Sequence, residues 1–285
     1  MARSGDFPQR LKFDQNPVTT FTEEEDVRVT LLQGPDPDFR ERVFMKVAAT
    51  WNDKPINRHD LEALTPSALG RTMIDVLRGA VLPNSMEAIT FDLLIEGLPL
   101  VEVTHLLRHR AFSAIHAQCT ADRDLRDEKY FVPEAVRNNQ TLREKYEEAI
   151  DVAVRAYAFL VDSKWVSMMD ARYLLPRAAV SFYYVTANLK DLIMFVRHRR
   201  CTMIQPKVDN ILARQIYEIL TECVPEVGEV LSPYCDSTCA WVNSPDDRNS
   251  RLYEPDPVHR MLLEQKGKTS PPSIYGKTRE EMGIS

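Results

Sequence analysis

The residues best suited to chemistry in this chain are histidines set among arginines. The sequence holds six histidines, and four of them fall in two short basic segments. One runs His105-Leu-Leu-Arg108-His109-Arg110-Ala-Phe-Ser113-Ala-Ile-His116, the other Arg197-His198-Arg199-Arg200. Arginine forks hold phosphate oxygens in pairs, and histidine exchanges protons near neutral pH. Such basic islands in an acidic chain call for an anionic partner. Adjacent residues on a helix point about 100° apart, so Arg108, His109 and Arg110 would bridge two anions, or a substrate and a cofactor, rather than serve one small site. The bland alternative is a solvated basic helix end that complements the helix dipole.

The same histidines have a second use. His105 and His109 stand four residues apart, the spacing of metal ligands on a helix, and His116 with Asp122 or Asp124 would complete a divalent site if the helix runs on. The competing reading is a histidine pair packed beside arginines. Ser113 and Cys119 have nucleophilic atoms, but neither sits in a G-x-S-x-G elbow. Gln205 and Lys207, just after the second island, could reach a nucleotide or simply cap a loop.

These residues need elements to hold them. Val27 to Leu32 alternates as a strand and stops at Gly34-Pro-Asp-Pro. Phe39 to Trp51 and Pro66 to Leu77 read as helices, the second ended by Gly79. Glu87 to Ile95 is a strand with Ile89, Phe91, Leu93 and Ile95 on one face. From Leu100 the pattern is helical, and a helix continuing to His116 would put His105, His109, Phe112 and His116 on one side. Arg123 to Glu128 is a charged loop, either solvated or a lid, and Tyr130 to Pro133 is extended. A long amphipathic helix spans Asn139 to Asp162, with Tyr146, Ile150, Ala153, Tyr157 and Leu160 inward. A short helix over Asp170 to Leu175, a strand over Ala178 to Val185, and helices over Leu189 to Arg199 and Asn210 to Cys223 follow. Residues 1–25 read as a loose arm, 26–243 as the folded domain and 244–285 as a polar, proline-rich tail.

Composition bounds the function. The chain has 285 residues, 44% hydrophobic and 27% charged, which describes an ordinary globular protein. A net charge of −6 argues against coating a nucleic-acid polymer, though not against a local basic pocket. No apolar run is long enough for a membrane span and no apolar signal region follows the N-terminus, so a cytoplasmic protein is expected. Five widely spaced cysteines, with Cys235 and Cys239 the one close pair, read as reduced thiols. No glycine occurs between Gly97 and Gly228, so any phosphate held there is held by side chains and helix ends, not by a glycine loop.

The run Arg108-His109-Arg110-Ala-Phe-Ser113 resembles the R-H-R-x-x-S motif of the flavin-dependent thymidylate synthases. Met86-Glu87-Ala-Ile-Thr-Phe91, Tyr130-Phe-Val-Pro133-Glu134, Leu175-Pro176, Thr186-Ala-Asn188 and Arg199 follow in that family's order, over residues 27–230. The resemblance implies an α/β (α+β) fold, a central sheet with long helices, in a homotetramer with active sites between subunits. It implies FAD, with NADPH and methylene-tetrahydrofolate as co-substrates, and C5 methylation or hydroxymethylation of a pyrimidine nucleotide. Catalytic roles would fall to His109, His116 and Arg199. The substrate would meet Arg108, Arg110, Ser113, Gln118, Arg123, Gln205 and Lys207, and the flavin would meet His109, Arg110, Asn188 and Arg199.

Several positions depart from that pattern. Ile115-His116 replaces Asn-Glu, Gln118 replaces serine, and the loop arginine is Thr120 or, with an insertion, Arg123. Ala88 replaces the histidine of the strand entry, and His105 replaces the glutamine before R-H-R. The family's H-A-Q-x-E-I-R reads Met203-Ile-Gln205-Pro-Lys207-Val-Asp209. These changes, with the added histidines, keep two rivals open: a flavin-free member using a divalent metal as a nucleotide-sugar isomerase or mutase, and a non-catalytic nucleotide-binding protein.

Overall fold

In the computed structural model, residues 19–108, 112–121, 123–200 and 205–231 are described, apart from the side chains at 58, 229 and 230. His109, Arg110, Asp122, Cys201, Cys235, Cys239, the start of the arm and the tail therefore lie outside the described residues.

The chain opens with β1 (Thr20–Thr22), a 3-10 turn at Glu24–Asp26, and β2 (Arg28–Gln33). Three helices follow: α1 (Phe39–Ala48), α2 (Arg58–Glu62) and α3 (Pro66–Leu77). Helix α3 starts where the Thr65 hydroxyl accepts from the Ala68 amide, with Pro66 in the first turn, and the chain leaves it through Gly79 at φ +73°. A second 3-10 turn, Pro83–Ala88, leads into β3 (Thr90–Pro99), α4 (Leu100–Arg108), β4 (Phe112–Ala117) and β5 (Lys129–Phe131). Then come α5 (Glu134–Arg137), the long α6 (Gln140–Ser163), α7 (Met168–Ala171), β6 (Val180–Asn188), α8 (Leu189–Arg199), α9 (Lys207–Cys223) and α10 (Glu226–Val230).

Strands β2-β3-β6-β4 form an antiparallel sheet in that order. Period-two patterning gives it one buried face: Phe91, Leu93 and Ile95 of β3 lie beside Tyr183, Val185 and Ala187 of β6 in the main core. Helices α1, α3, α8 and α9 supply the other half of that core through Val43, Met73, Phe195 and Leu212. The opposite face stays partly open, with Tyr184 46% and Phe182 37% exposed. A smaller core joins α6 to β5 through Ile150, Val154 and Tyr130. Parallel pairing of β1 with β5 ties the N-terminal segment to it.

Three expectations are corrected. The chain is packed from Thr20, not loose to residue 25: Glu24 is buried and its carboxylate accepts from the Glu134 amide at 2.6 Å. The strand expected from Glu87 begins at Thr90, because Pro83 initiates a 3-10 turn first. The helix expected to run to His116 ends at Arg108, and Phe112–Ala117 is a strand. Pairing with β6 covers an otherwise open strand edge, and the Phe112 ring meets Phe195 edge-on at 5.4 Å. Sheet pairing thus outweighs the helical spacing of the histidines.

A bulge between Ile95 and Leu98 puts Gly97 at φ +75°, where an added Cβ would lie 2.7 Å from the Asp26 carbonyl oxygen. Gly97→Ala is expected to lose about 1–3 kcal/mol of stability, read by urea unfolding, from the left-handed backbone and the backbone clash together.

Candidate functional site

The two basic islands occupy the C-terminal ends of two helices, where cations complement the unpaired carbonyls. The structure brings those ends together. Arg199, on the last turn of α8, donates from Nη2 to the backbone carbonyl of His105 on α4 at 3.3 Å. Its Nη1 donates to the Asp209 carboxylate on α9 at 2.9 Å, and also to the Gln205 side-chain oxygen. The Asn210 side chain donates to the Arg199 carbonyl at 2.6 Å. Arg199 and Asp209 are both buried, so this ion pair is a fixed part of the interior.

Beside it, His105 Nδ1 lies 2.7 Å from Glu102 Oε2 and 3.5 Å from Asp209 Oδ2. Burial and the nearby Asp209 charge push the Glu102 carboxyl up to about 7, partly offset by His105 and Arg199. Burial likewise raises Asp209, against the pull of Arg199 and His105. His198, on the exposed side of the last turn of α8, is held below the ordinary imidazole value by desolvation and then by Arg199 and Arg197.

Next to this cluster is a cavity of about 470 Å³ with a largely apolar wall. Phe131, Pro133, Tyr146 and Val208 line it, and its charged groups are Glu24, Glu102, Glu134, Arg177 and Lys207. Lys207 donates to Glu134 at 2.8 Å, and the two charges hold each other at the rim.

The other expected site residues fall in different places. Arg108 is exposed at the end of α4 and Ser113 is exposed at the bulge of β4. Gln118 lies 3.2 Å from Ser181 and also against Arg123, and Arg123 donates to Glu128 at 2.5 Å. Asn188 caps α8: its side-chain oxygen accepts from the Asp191 amide at 3.0 Å and its amide donates to the Asp191 carboxylate. Among the described residues, His105, His116 and Asp124 form no metal-ligand group with one another. His116 sits opposite Tyr184 on the open sheet face, away from the core face carrying α8. Asp124 accepts from Arg126 at 2.7 Å, and Arg126 also clamps Asp162. That loop is anchored rather than merely solvated, since Leu125 is buried and its amide donates to the Tyr157 hydroxyl.

Two residues that sequence reasoning did not single out, Glu102 and Asp209, hold His105 and Arg199. The signal was available: Glu102 stands one helical turn before His105, on the same face.

Comparison with known proteins identifies the family of the chain. A model of the family described as Thymidylate synthase complementing protein matches residues 40–226. Among curated relatives, the flavin-dependent thymidylate synthase of Pyrococcus abyssi is 26% identical over 202 residues, covering 68% of this chain and 79% of that protein. The enzyme of the same name from Geobacter sulfurreducens is 29% identical over 212 residues, covering 73% and 88%. Among solved structures, the UMP/dUMP methylase PolB from Streptomyces cacaoi, bound with 5-Br dUMP, superposes with a TM-score of 0.60. It is 19% identical, over 72% of this chain and 94% of its own, a likeness of fold.

Breaking the buried pair has a cost that the exposed arginine does not share. Asp209→Asn is expected to lower unfolding free energy by about 3–5 kcal/mol, because it strands a buried guanidinium. Arg108→Ala should change it by no more than about 0.5 kcal/mol. Denaturant unfolding of both variants checks the contrast.

Proposed function

The chain belongs to the thymidylate synthase complementing protein family, and from that premise we propose that it transfers a one-carbon unit to C5 of a pyrimidine nucleotide. The cofactor in this reading is FAD, with methylene-tetrahydrofolate supplying carbon and NADPH supplying hydride. The observation that carries the reading is the junction of the two basic helix ends through Arg199 and the His105 carbonyl.

The donor set there fits phosphate-bearing partners. Arg108 is exposed, Arg200 stacks over the Tyr217 ring at 4.8 Å, and Gly-free helix ends leave side chains to hold the anion. In this proposal Arg108, His109 and Arg110 hold the nucleotide phosphate and the flavin, with Ser113, Gln118 and Arg123 from the following strand and loop completing the nucleotide site. When bound, the flavin supplies hydride transfer to the pyrimidine. The protein's part is to fix charge and exclude water. Arg199, held by Asp209 and Gln205, fixes the ends of α4 and α8 beneath the site without turning to meet the ligand. Asn188 acts indirectly, by fixing the first turn of α8 and hence the direction in which Arg197, His198 and Arg199 leave it.

The open sheet face supports the subunit arrangement in this reading. Leu94, Phe182, Tyr184 and His116 lie on it, with Asp92 and Glu96 on the same side of β3, and its exposed aromatics suit burial against copies of the same chain. His116 then faces a neighbouring subunit, which would give it a role in a shared site and none in the metal site first expected. Among the described residues His105 and His116 share no metal-ligand group, and no second reading is carried forward.

The visible absorption spectrum after FAD loading and gel filtration is the direct test. A retained yellow flavin band, bleached by NADPH and followed by methylation of UMP or dUMP with methylene-tetrahydrofolate, is the expected outcome; a colourless protein sinks the reading. Arg108→Ala should stay folded yet weaken nucleotide binding by about tenfold or more, as loss of a charge-assisted contact does. Tyr184→Glu is expected to shift the particle from tetramer toward smaller species in light scattering, since it buries a charge in the shared face.

A further inference from the structure

Three buried polar atoms converge: Asp209 Oδ1 has no hydrogen-bond partner, and Glu102 Oε2 and His105 Nδ1 face each other at 2.7 Å. Glu102 is 6% and Asp209 1% exposed, so solvent does not satisfy them. Arg199 and His105 both lie against Oδ2 of Asp209, at 2.9 and 3.5 Å, while Oδ1 is buried without a hydrogen-bond partner. Two carboxylates share this buried space with one guanidinium, that of Arg199. An uncompensated buried charge of this kind is costly, and a cation removes the cost.

We propose that Glu102, His105 and Asp209 bind one first-row divalent cation. The three side chains offer ligand atoms that all lie within 4.8 Å of one another. Ligands about 2.1 Å from one ion lie about 3.0–3.4 Å apart at octahedral or tetrahedral angles, so side-chain shifts of up to about 1.5 Å close the set. The ligand chemistry is nitrogen and oxygen with no sulfur, which suits manganese, iron or zinc and not copper(I). Glu102 and His105 come from one helix at the Glu-x-x-His spacing that places both side chains on one face. Asp209 comes from the first turn of the facing helix. Arg199 supplies the outer contact that a ligating carboxylate needs, holding Oδ2 while Oδ1 meets the ion. The cavity whose wall includes Glu102 gives a way in. The ion's role is to pin α4 to α9 beneath the basic junction, not to take part in the reaction. It differs from the expected histidine set in two of its three ligands and does not depend on the proposed methyl transfer.

The test uses the full-length protein and Mn²⁺ as the probe, since manganese prefers oxygen and nitrogen and largely ignores the cysteine thiols. Free Mn²⁺ is followed by electron paramagnetic resonance during titration. One bound ion per chain is expected, and saturating Mn²⁺ at about a hundredfold over its dissociation constant should raise the unfolding midpoint by about 5 °C. Glu102→Gln and His105→Gln should each weaken binding at least about tenfold. Circular dichroism of each variant without metal should match the parent, which separates lost ligation from lost fold. No binding by the parent at about millimolar Mn²⁺ overturns the proposal and leaves the cluster an ion pair only. Equal binding by the parent and both variants also overturns it, placing the ion elsewhere.

Discussion

The arrangement of this protein depends on one buried ion pair, Arg199 with Asp209. A guanidinium taken out of water must meet acceptors on several sides at once, or the fold loses more than the contact returns. Here the acceptors come from three places: the His105 carbonyl, the Asp209 carboxylate and the Gln205 side chain. That requirement places the end of α4, the end of α8 and the start of α9 against one another. The two basic islands, 80-odd residues apart in the chain, become neighbours as a consequence. Apolar packing alone would not set that register, because side chains of similar volume slide past one another at small cost.

The sheet imposes the second constraint. Its alternation assigns Leu93, Ile95, Tyr183 and Val185 to the helical layer, and therefore assigns Leu94, Tyr184 and His116 to the other side. A strand cannot bury one face without committing the other. Among the described residues, α1, α3, α8 and α9 pack on the first. Edge strand β4 joins the two aspects: it anchors to the core through Phe112 and carries His116 on the open face.

Much of this was legible in the sequence where one period dominated. Leu189–Arg199 and Gln140–Ser163 appear as helices within a residue or so of their expected bounds, because long amphipathic patterns with Asn caps leave few alternatives. The face shared by Ile89, Phe91, Leu93 and Ile95 was equally plain. The segment after Arg108 was not. His105, Phe112 and His116 match a helical period, while Phe112–Ala117 also pairs as a strand, and only the open edge of β6 decides between them. Local spacing carries no information about that edge. The site was legible as a pair of basic islands but not as a junction, for the same reason: the contact from Arg199 to the His105 carbonyl spans 94 residues. Glu102 and Asp209 escaped notice because a lone carboxylate in a mixed-charge sequence looks like a solvated one until its burial is known.

The departures from the flavin-dependent thymidylate synthase pattern look scattered along the chain, and in space they are not. His105 stands where that pattern has glutamine, and Asp209 where it has arginine. The two side chains approach to 3.5 Å, with Glu102 completing the group. Lys207 stands where the pattern has glutamate, and it pairs with Glu134, which follows the Pro133 landmark. A reversed charge at 207 left alone would raise the potential at the cavity rim; paired with Glu134 it is largely cancelled. An arginine at 209 would confront Arg199 across a low-dielectric gap, whereas aspartate there locks it. The changes therefore act as coupled exchanges that keep the helix junction neutral enough to bury, instead of as independent losses of function. The cationic groups left exposed at the helix ends, Arg108 foremost, remain available for an anionic ligand because Arg199 has already been neutralised from within. The departures thus re-engineer the support beneath the basic junction while leaving the junction itself in place.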